Sequence, residues 1–391
     1  MTELERRGER APMEYRRFGK TEKALSVITL GGMRYIDGWS KPRETPTRAM
    51  IDQAVDMLRR AFAAGINHVE TAYGYSRSEY CYGQALEEVG VRRSDYFLMT
   101  KGDPDSPEAA HRMLEEQLKG LRTDRIDLYA WHGLNNPERF RMAMESGALD
   151  VLSEYQAQGV IGNLGFSSHA TPDVIARAIV SGRFDFVNLH YYYFFQRNFG
   201  ALLLAAERDM GVFIISPNDK GGQLWNASEK VKKLVAPATP IQWNARFCLR
   251  LPFVHTLSFG MTQPSHVEEM LGVFPTSVPL SRQDLDALVR MDAQIAMDPI
   301  SAYEGFEFLD DPSGINIPEV LRFRKMLKCY DMEAFGKYRY NMFEDKGHWF
   351  PGAFATPDRV EKVRAEKAPP GIDIRALLNE THQALYVPKE K

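Results

Sequence analysis

The stretch YFLMTKGDPDSPEAAHRMLEEQLKGLRTDRIDLYAWH, residues 96–132, contains one full repeat of the pattern that decides the fold. Its two ends, YFLMTK (96–101) and IDLYAWH (126–132), are almost continuously apolar, as strands buried on both faces must be. Between them, PEAAHRMLEEQLKGL (107–121) has apolar residues at helical spacing. The stretch therefore predicts a strand, a helix and a second strand parallel to the first.

The same alternation extends over residues 25–272. Further apolar runs predict the other strands: VITLGGM (27–33), NHVETA (67–72), IGNLGFSSH (161–169), FDFVNLHYYY (184–193), GVFIISP (211–217) and VHTLSFGM (254–261). Eight strand-then-helix units with right-handed crossovers close a barrel, so we predict an α/β fold, a (β/α)8 TIM barrel. An open doubly wound sheet is the alternative. It would normally have a Gly-rich dinucleotide fingerprint after its first strand, and Gly31-Gly32-Met33 is not one.

Composition and charge narrow the class of protein. Of the 391 residues, 44% are apolar and 26% are charged, which is typical of a globular protein with a large core. The net charge of -3, with both signs mixed, favours neither a nucleic-acid nor a membrane partner. The cysteines, Cys81, Cys248 and Cys329, are odd in number and far apart, which argues against a disulfide framework and for a reducing, cytoplasmic compartment.

The alternation ends after about residue 298. We therefore predict a tail over residues 1–13, a barrel domain over 14–298 and a C-terminal helical extension over 299–391. The extension contains helical fragments and the aromatic loop GHWFPGAF (347–354). It is too apolar to stay solvated, so we expect an ordered segment docked on the barrel and not a linker.

Titratable side chains stand at the ends of successive predicted strands, which is where a β/α barrel places its reacting groups. Hydride transfer to a carbonyl requires a weak acid beside the oxygen, and a Tyr hydroxyl serves if an adjacent ammonium lowers its pKa. Tyr75 is the predicted acid and Lys101 the predicted cation. Glu70 would fix the cation, and His132 would orient the substrate oxygen.

The segments VETAYGYSRSEYCYGQALEE (69–88), FLMTKG and IDLYAWHGLN resemble those that carry the catalytic residues of the aldo-keto reductase family. Matching residue by residue places Tyr75, Lys101 and His132 on the family's catalytic Tyr, Lys and His, and Glu70 on its Asp. The resemblance spans roughly residues 14–298. It implies an NAD(P)(H)-dependent oxidoreductase acting on a small aldehyde, ketone or alcohol, the last sugar-like in one interpretation, with NADP or NAD as cofactor.

The resemblance also implies the cofactor contacts. GNLGFSSH, FVNLHYY, IISPNDKGG and FGMTQPSHVEEML resemble the segments that hold the nicotinamide carboxamide, the pyrophosphate and the adenosine end. The implied cofactor-binding residues are Ser167, Ser168, Asn188, Ser216, Pro217, Asn218, Lys220, Gly221, Gly222, Gly260, Met261, Thr262, His266 and Glu269. The resemblance implies no metal site.

The sequence departs from the family pattern at several of these positions. Glu70 is one methylene longer than the usual Asp, and Ile215 stands where many members have a Tyr that stacks on the nicotinamide. Gly260 lacks the Lys that some members use for the 2′-phosphate. The preference between NAD and NADP therefore stays open, with candidate phosphate partners at His266, Arg246 and Lys220.

Residues 311–343 and 367–386 resemble the C-terminal extension of a family branch that carries ferredoxin-like iron–sulfur motifs. The motif Cys-x2-Cys-x2-Cys-x3-Cys-Pro ends in a Pro that Pro312 and Pro369 retain. The ligand positions hold Ser301, Glu304, Glu307, Asp311, Asp358, Glu361, Arg364 and Ala368. Since none is Cys, we predict no iron–sulfur cluster, and we interpret the carboxylates as solvated loop residues.

Two other functions stay open at this point. The barrel could bind the cofactor as a catalytically weak sensor, or it could be a metal-dependent hydrolase or isomerase with Glu70, His132 and His190 as ligands. The oligomeric state cannot be read from the residues. Several aromatic side chains are candidates for the walls of the substrate site: Trp39, Trp131, Tyr191 and Tyr192.

Overall fold

The computed structural model describes residues 12–35, 42–296, 298 and 311–388. The chain divides into two compact units, one comprising residues up to 222 together with 244–280, the other comprising 223–243 together with 281 onward. This division does not follow the domain boundaries predicted from the sequence, and those boundaries stay a prediction. Most of the predicted tail over residues 1–13, and the candidate wall residue Trp39, lie outside the described residues.

The first unit contains a closed barrel of eight strands in the order β10-β3-β4-β5-β6-β7-β8-β9. All neighbouring pairs are parallel. The strands are β3 (Ile28–Gly31), β4 (His68–Glu70), β5 (Phe97–Gly102), β6 (Ile126–Trp131), β7 (Ile161–Ser167), β8 (Phe186–Leu189), β9 (Gly211–Ile215) and β10 (Thr256–Phe259). Each predicted apolar run overlaps one of them, so the predicted (β/α)8 barrel is confirmed.

Helices follow the barrel strands and continue into the second unit. In chain order they are α1 (Arg48–Ala63), α2 (Ser78–Val89), α3 (Pro107–Leu121), α4 (Pro137–Glu145), α5 (Ala148–Ala157), α6 (Pro172–Val180), α7 (Phe199–Glu207), α8 (Glu229–Val235), α9 (Pro240–Leu249), α10 (Pro264–Leu271), α11 (Arg282–Ala296), α12 (Ile317–Tyr330), α13 (Glu333–Tyr340), α14 (Pro357–Val360) and α15 (Ile374–Leu385). Helix α1 stops just before Gly65, which has φ +84°, a conformation that glycine adopts without strain.

Side chains alternate between the barrel interior and the surrounding helices. On β6, Leu128 and Ala130 belong to the fully buried interior cluster. Tyr129 faces the other way, and its hydroxyl lies 3.9 Å from Met113 Sδ on α3. Trp131 shares the strand face of Tyr129, so the expectation that Trp131 lines the substrate site is wrong.

A short hairpin precedes the barrel. Strands β1 (Tyr15–Arg17) and β2 (Ala24–Ser26) pair in antiparallel fashion, and Phe18 and Leu25 join the interior cluster of the barrel. The hairpin lies beside the start of β9, since Lys20 N donates to Asp209 O at 2.6 Å. It therefore fills the amino-terminal end of the barrel, opposite the end where the predicted site residues stand.

The second unit is helical and has an aromatic core. Phe343 stacks on Phe350 with ring centroids 4.6 Å apart, and Phe323 lies 6.0 Å from each of them. Helices α12 and α13 are joined by a turn at Asp331, which has φ +53°. The C-terminal helices predicted from the sequence are confirmed.

The predicted cluster-ligand positions of the tail are described in part, since Ser301, Glu304 and Glu307 lie outside the described residues. Asp358 and Glu361 are exposed. Asp311 is buried, and its carboxylate accepts the backbone N–H groups of Ser313 at 2.9 Å and Arg364 at 2.8 Å. The expectation of a solvated loop residue is therefore wrong for Asp311, which ties together two segments of the unit.

Cys81, Cys248 and Cys329 are free thiols, and each of them is buried. Among the residues that the structure describes, no helix combines the length and the apolar character that crossing a bilayer requires.

Candidate active site

Three neighbouring strands bring the predicted catalytic residues to one end of the barrel. Glu70 is the last residue of β4, Lys101 is next to last in β5, and His132 follows β6 directly. The loop after β4 contains Tyr75, held in a turn by bonds from Tyr75 N to Ala72 O and from Ser78 N to Tyr75 O, both 3.0 Å. Side chains that are up to 62 residues apart in the chain, from 70 to 132, therefore meet.

Lys101 is the centre of this group. Its buried Nζ donates to Tyr75 Oη at 3.2 Å and to Thr71 O at 2.9 Å, and it forms an ion pair with Glu70 Oε1. The imidazole of His132 meets the Tyr75 ring edge-on, with centroids 5.6 Å apart and planes at 80°. A phenol, an ammonium and an imidazole thus share one location.

Burial raises the pKa of the Tyr75 phenol above its ordinary value. Burial also lowers the pKa of Lys101, while the adjacent Glu70 carboxylate favours its charged form. In the protein on its own, burial therefore outweighs the lowering of the Tyr75 pKa expected from Lys101. A phenol with a raised pKa stays protonated at physiological pH and can serve as a proton donor.

A second support of Glu70 was not predicted. Ser258 on β10 donates from Oγ to Glu70 Oε2 at 3.1 Å. The contact joins β10 and β4, which are separated by β3. No local sequence motif predicts this contact. No sequence signal singles out Ser258, since the run VHTLSFGM also has a hydroxyl at Thr256.

The two serines predicted to hold the carboxamide are already bonded to the backbone. Ser167 Oγ accepts from Gly133 N at 3.0 Å. Ser168 Oγ donates to Leu134 O at 2.6 Å and accepts from Ala170 N at 3.0 Å. A hydroxyl has one donor and two acceptor sites, so Ser167 keeps a donor and Ser168 keeps one lone pair.

Two predicted amide residues carry buried oxygens that find no hydrogen-bond partner in the described part of the chain. They are Asn188 Oδ1 on β8 and Asn218 Oδ1 in the loop after β9. Leaving a buried acceptor unpaired costs free energy, on the order of 1–3 kcal/mol. Both atoms are therefore suited to accept hydrogen bonds from a bound polar molecule.

The loop over residues 216–222 has repeated left-handed backbone. Positive φ occurs at Ser216 (+48°), Asp219 (+59°), Gly221 (+84°) and Gly222 (+68°). Two N–H groups of the loop are bonded within it, Lys220 N to Asp219 Oδ1 at 2.6 Å and Gly222 N to Asp219 O at 2.9 Å. Asn244 Nδ2 fixes the loop by donating to Pro217 O at 2.7 Å.

At the predicted adenosine end, Gly260 follows β10. A Cβ added there would lie 2.4 Å from Arg34 Cγ, so the Arg34 stem occupies the space of a side chain at residue 260. Thr262 N donates to His266 Nδ1 at 3.1 Å, which leaves the proton of that ring on Nε2. Burial and the charge of Arg34 lower the pKa of His266.

The remaining predicted residues are placed as follows. Met261 is buried, Glu269 is half-buried on α10, and Arg246 donates to Gly272 O at 3.4 Å. Lys220 Nζ lies 3.4 Å from His169 Nε2, and His169 Nδ1 lies 2.8 Å from His190 Nε2. Tyr191 and Tyr192 are buried, and Arg250 donates to the Tyr191 hydroxyl at 2.9 Å.

The metal-dependent alternative is not supported. No group of three or more His, Cys, Asp or Glu side chains among the described residues could hold a metal ion. Glu70, one of the ligands in that hypothesis, is committed to Lys101 and Ser258.

Comparison with known proteins identifies a family. The family model described as the aldo/keto reductase family matches residues 27–293. L-galactose dehydrogenase of Arabidopsis thaliana is 24% identical over 331 residues, covering 78% of this chain and 98% of the relative. An uncharacterised oxidoreductase of Bacillus subtilis is 28% identical over 239 residues, covering 56% of this chain and 71% of the relative.

Solved structures share the fold of this chain. A thermostable aldo-keto reductase in complex with the inhibitor epalrestat matches with a TM-score of 0.58 and 26% identity, covering 71% of this chain and 98% of that chain. A Klebsiella pneumoniae aldo/keto reductase in complex with NADP and acetate matches with a TM-score of 0.55 and 22% identity, covering 71% and 95%.

Proposed function

Because the chain belongs to the aldo/keto reductase family, we propose that it transfers a hydride reversibly between a nicotinamide cofactor and a small aldehyde, ketone or alcohol. The observation that carries this proposal is the meeting of Tyr75, Lys101 and His132 at the carboxyl end of the barrel. The test is NADPH oxidation by the purified protein across a panel of carbonyl compounds. Oxidation that does not depend on the carbonyl would contradict the proposal.

Each residue has a defined role in the proposed reaction. Tyr75 donates its phenolic proton to the carbonyl oxygen as negative charge develops there, and His132 orients that oxygen. Glu70 holds Lys101 in place, and the Lys101 ammonium stabilises the phenolate after the proton has left. A reduced nicotinamide supplies the hydride when bound, since no side chain can donate one.

The structure supports a site for such a cofactor. The unpaired Asn188 Oδ1 suits the carboxamide NH2 group, with the Ser167 hydroxyl as donor to the carboxamide oxygen. In the loop over 216–222, Gly221 and Gly222 have no side chain, so the backbone there allows close approach of the pyrophosphate. Ile215 offers an aliphatic surface, so we expect no aromatic stacking from that position.

We assign the substrate class to sugar-like carbonyl compounds or polyols. This rests on the similarity to L-galactose dehydrogenase over 98% of the length of that relative. The panel should therefore include aldoses, lactols and polyols beside simple aldehydes. Turnover confined to simple aldehydes would contradict the proposed substrate class but would leave the proposed reaction type unchanged.

Arg34 supports a preference for NADP(H) over NAD(H). The Arg34 stem covers Gly260, the position where the family pattern can have Lys. Arg34, in the segment after β3, therefore supplies the positive charge that a Lys after β10 would supply. The exposed Arg34 has no carboxylate partner among the described residues. Its guanidinium can donate to a 2′-phosphate.

Replacing Arg34 by Ala is expected to weaken binding of 2′,5′-ADP by about 10–100-fold, the value of one charge-assisted hydrogen bond. Binding of 5′-AMP, which lacks the 2′-phosphate, should change by less than about twofold. Isothermal titration calorimetry with both nucleotides measures the difference.

Arg60→Ala is the matched control for Arg34→Ala, since Arg60 on α1 pairs with Asp56. It should leave the affinity for both nucleotides unchanged. Equal weakening of 2′,5′-ADP and 5′-AMP by Arg34→Ala would exclude the 2′-phosphate contact.

The raised pKa of Tyr75 sets the pH dependence of the two reaction directions. Carbonyl reduction needs the protonated phenol, so its kcat/KM should stay flat between about pH 6 and 9. Alcohol oxidation needs the phenolate, so its kcat/KM should rise about tenfold per pH unit over the same range. Steady-state kinetics in both directions, with cofactor binding followed separately, checks this. A reduction rate that falls above about pH 7 would indicate a lowered phenol pKa.

A further inference from the structure

The length of the Glu70 side chain is not explained by its role in the proposed reaction. Glu70 is one methylene longer than the aspartate of the motif, yet its Oε1 reaches Lys101 without displacing Lys101 from Tyr75. A longer side chain has one more rotatable bond and more ways to miss its partner. Something in this chain must therefore hold the glutamate in the productive conformation.

Ser258 provides that restraint. Its Oγ donates to Oε2 at 3.1 Å, so the two carboxylate oxygens are bound separately, one by Lys101 and the other by Ser258. Ser258 is buried at 8% exposure, and Glu70 is buried at 3%. In such surroundings a hydrogen bond to a charged group is stronger than in water and fixes its geometry.

Gly31 makes this contact possible. Strand β3 lies between β10 and β4, and Gly31 is the register partner of Glu70. A Cβ at residue 31 would lie 2.7 Å from Ser258 Oγ and 3.2 Å from Glu70 Oε2. The backbone of Gly31 is extended, with φ -85°, so any residue could adopt it. The glycine is therefore required for space and not for backbone freedom.

We infer that Ser258 is a positioning residue for Glu70. Gly31 leaves the space in which the Ser258 hydroxyl meets the Glu70 carboxylate. Together, Ser258 and Gly31 allow a glutamate to take the place of the aspartate of the motif. The inference rests on the proposed function and deepens it, because the role of Ser258 is exerted on Lys101 and Tyr75. Ser258 itself touches neither the phenol nor the ammonium in the described contacts.

The test is a double-mutant cycle between residues 258 and 70. Ser258→Ala should lower kcat about tenfold with little change in KM, and should move the rise of alcohol oxidation to higher pH. Ser258→Thr, which keeps the hydroxyl, should retain most of the activity. In a Glu70→Asp background the shorter carboxylate no longer reaches residue 258, so Ser258→Ala should cost less than about twofold.

Thr256→Val is the matched control. Thr256 lies on the same strand and face, and its hydroxyl bonds Thr29 at 2.7 Å, remote from Glu70. This variant should lose stability while keeping the wild-type pH profile. An identical pH profile and kcat in Ser258→Ala and wild type would overturn the inference while leaving the proposed function intact. The same holds if Ser258→Ala causes an equal loss with the native Glu70 and in the Glu70→Asp background.

The inference also has a readout that does not need turnover. The same cycle can be measured on the equilibrium constant of urea unfolding, where a real contact gives coupling between Ser258→Ala and Glu70→Asp. If the wild-type protein oxidises no NADPH with any carbonyl, the proposed function fails. Coupling between the two substitutions in unfolding would then still support the contact between Ser258 and Glu70. Independent effects of the two substitutions would overturn the inference.

Discussion

Replacing Tyr75 by Phe is expected to lower kcat for carbonyl reduction by about a thousandfold, within the range that general acid catalysis contributes. The substitution removes one oxygen and keeps the ring that meets His132 edge-on at 5.6 Å. Affinity for NADPH should stay within about twofold, because the phenol acts on the substrate oxygen and not on the cofactor. Steady-state kinetics, together with a fluorescence titration of NADPH, measure both quantities.

Tyr73→Phe is the matched control for this substitution. Tyr73 lies two residues earlier in the same loop, and its hydroxyl bonds Glu116 at 2.8 Å at an exposed site. It should retain wild-type kcat. If Tyr75→Phe kept normal turnover, the acid would have to be another group. Cofactor binding without turnover in the wild type would instead favour the sensor hypothesis.

Replacing Lys101 by Met is expected to have the second largest effect, and it acts on both activity and stability. Activity should fall at least about a hundredfold, since the phenol loses the donor that lies 3.2 Å from it. The free energy of unfolding should fall by about 3–5 kcal/mol, because Glu70 is left as a buried carboxylate without its cation. Urea unfolding followed by circular dichroism measures the loss.

The double variant Lys101→Met with Glu70→Leu separates the two effects. Removing both charges should recover most of the stability, because paired burial of apolar groups replaces an ion pair at little cost. It should not recover activity. A double variant as unstable as Lys101→Met alone would show that the ion pair does not explain the loss.

The barrel could be predicted because of how parallel strands are buried. Strands covered on both faces read as near-continuous apolar runs, and β6 and β9 lie within such runs. The hairpin β1–β2 was missed because three-residue strands such as Tyr15–Arg17 show no pattern. The contribution of residues 223–243 to the second unit was also missed, since it depends on contacts distant in sequence.

The predicted catalytic group converges because its members lie on one motif and two strand ends. What the sequence could not give are contacts between separate strands, such as Ser258 to Glu70 or the Arg34 stem over Gly260. The effect of burial on the pKa of Tyr75 could not be predicted for a similar reason. The sequence indicates the neighbouring charge of Lys101, but the degree of burial that outweighs it depends on the fold.

Single-turnover mixing of NADPH-loaded wild-type protein and its Tyr75→Phe variant with a carbonyl substrate tests the central claim most directly. With cofactor binding verified in both proteins beforehand, we predict rapid NADPH oxidation in the wild type and oxidation slowed about a thousandfold in the variant. Equal rates in the two proteins, or no oxidation by cofactor-loaded wild type across the whole panel, would contradict the account.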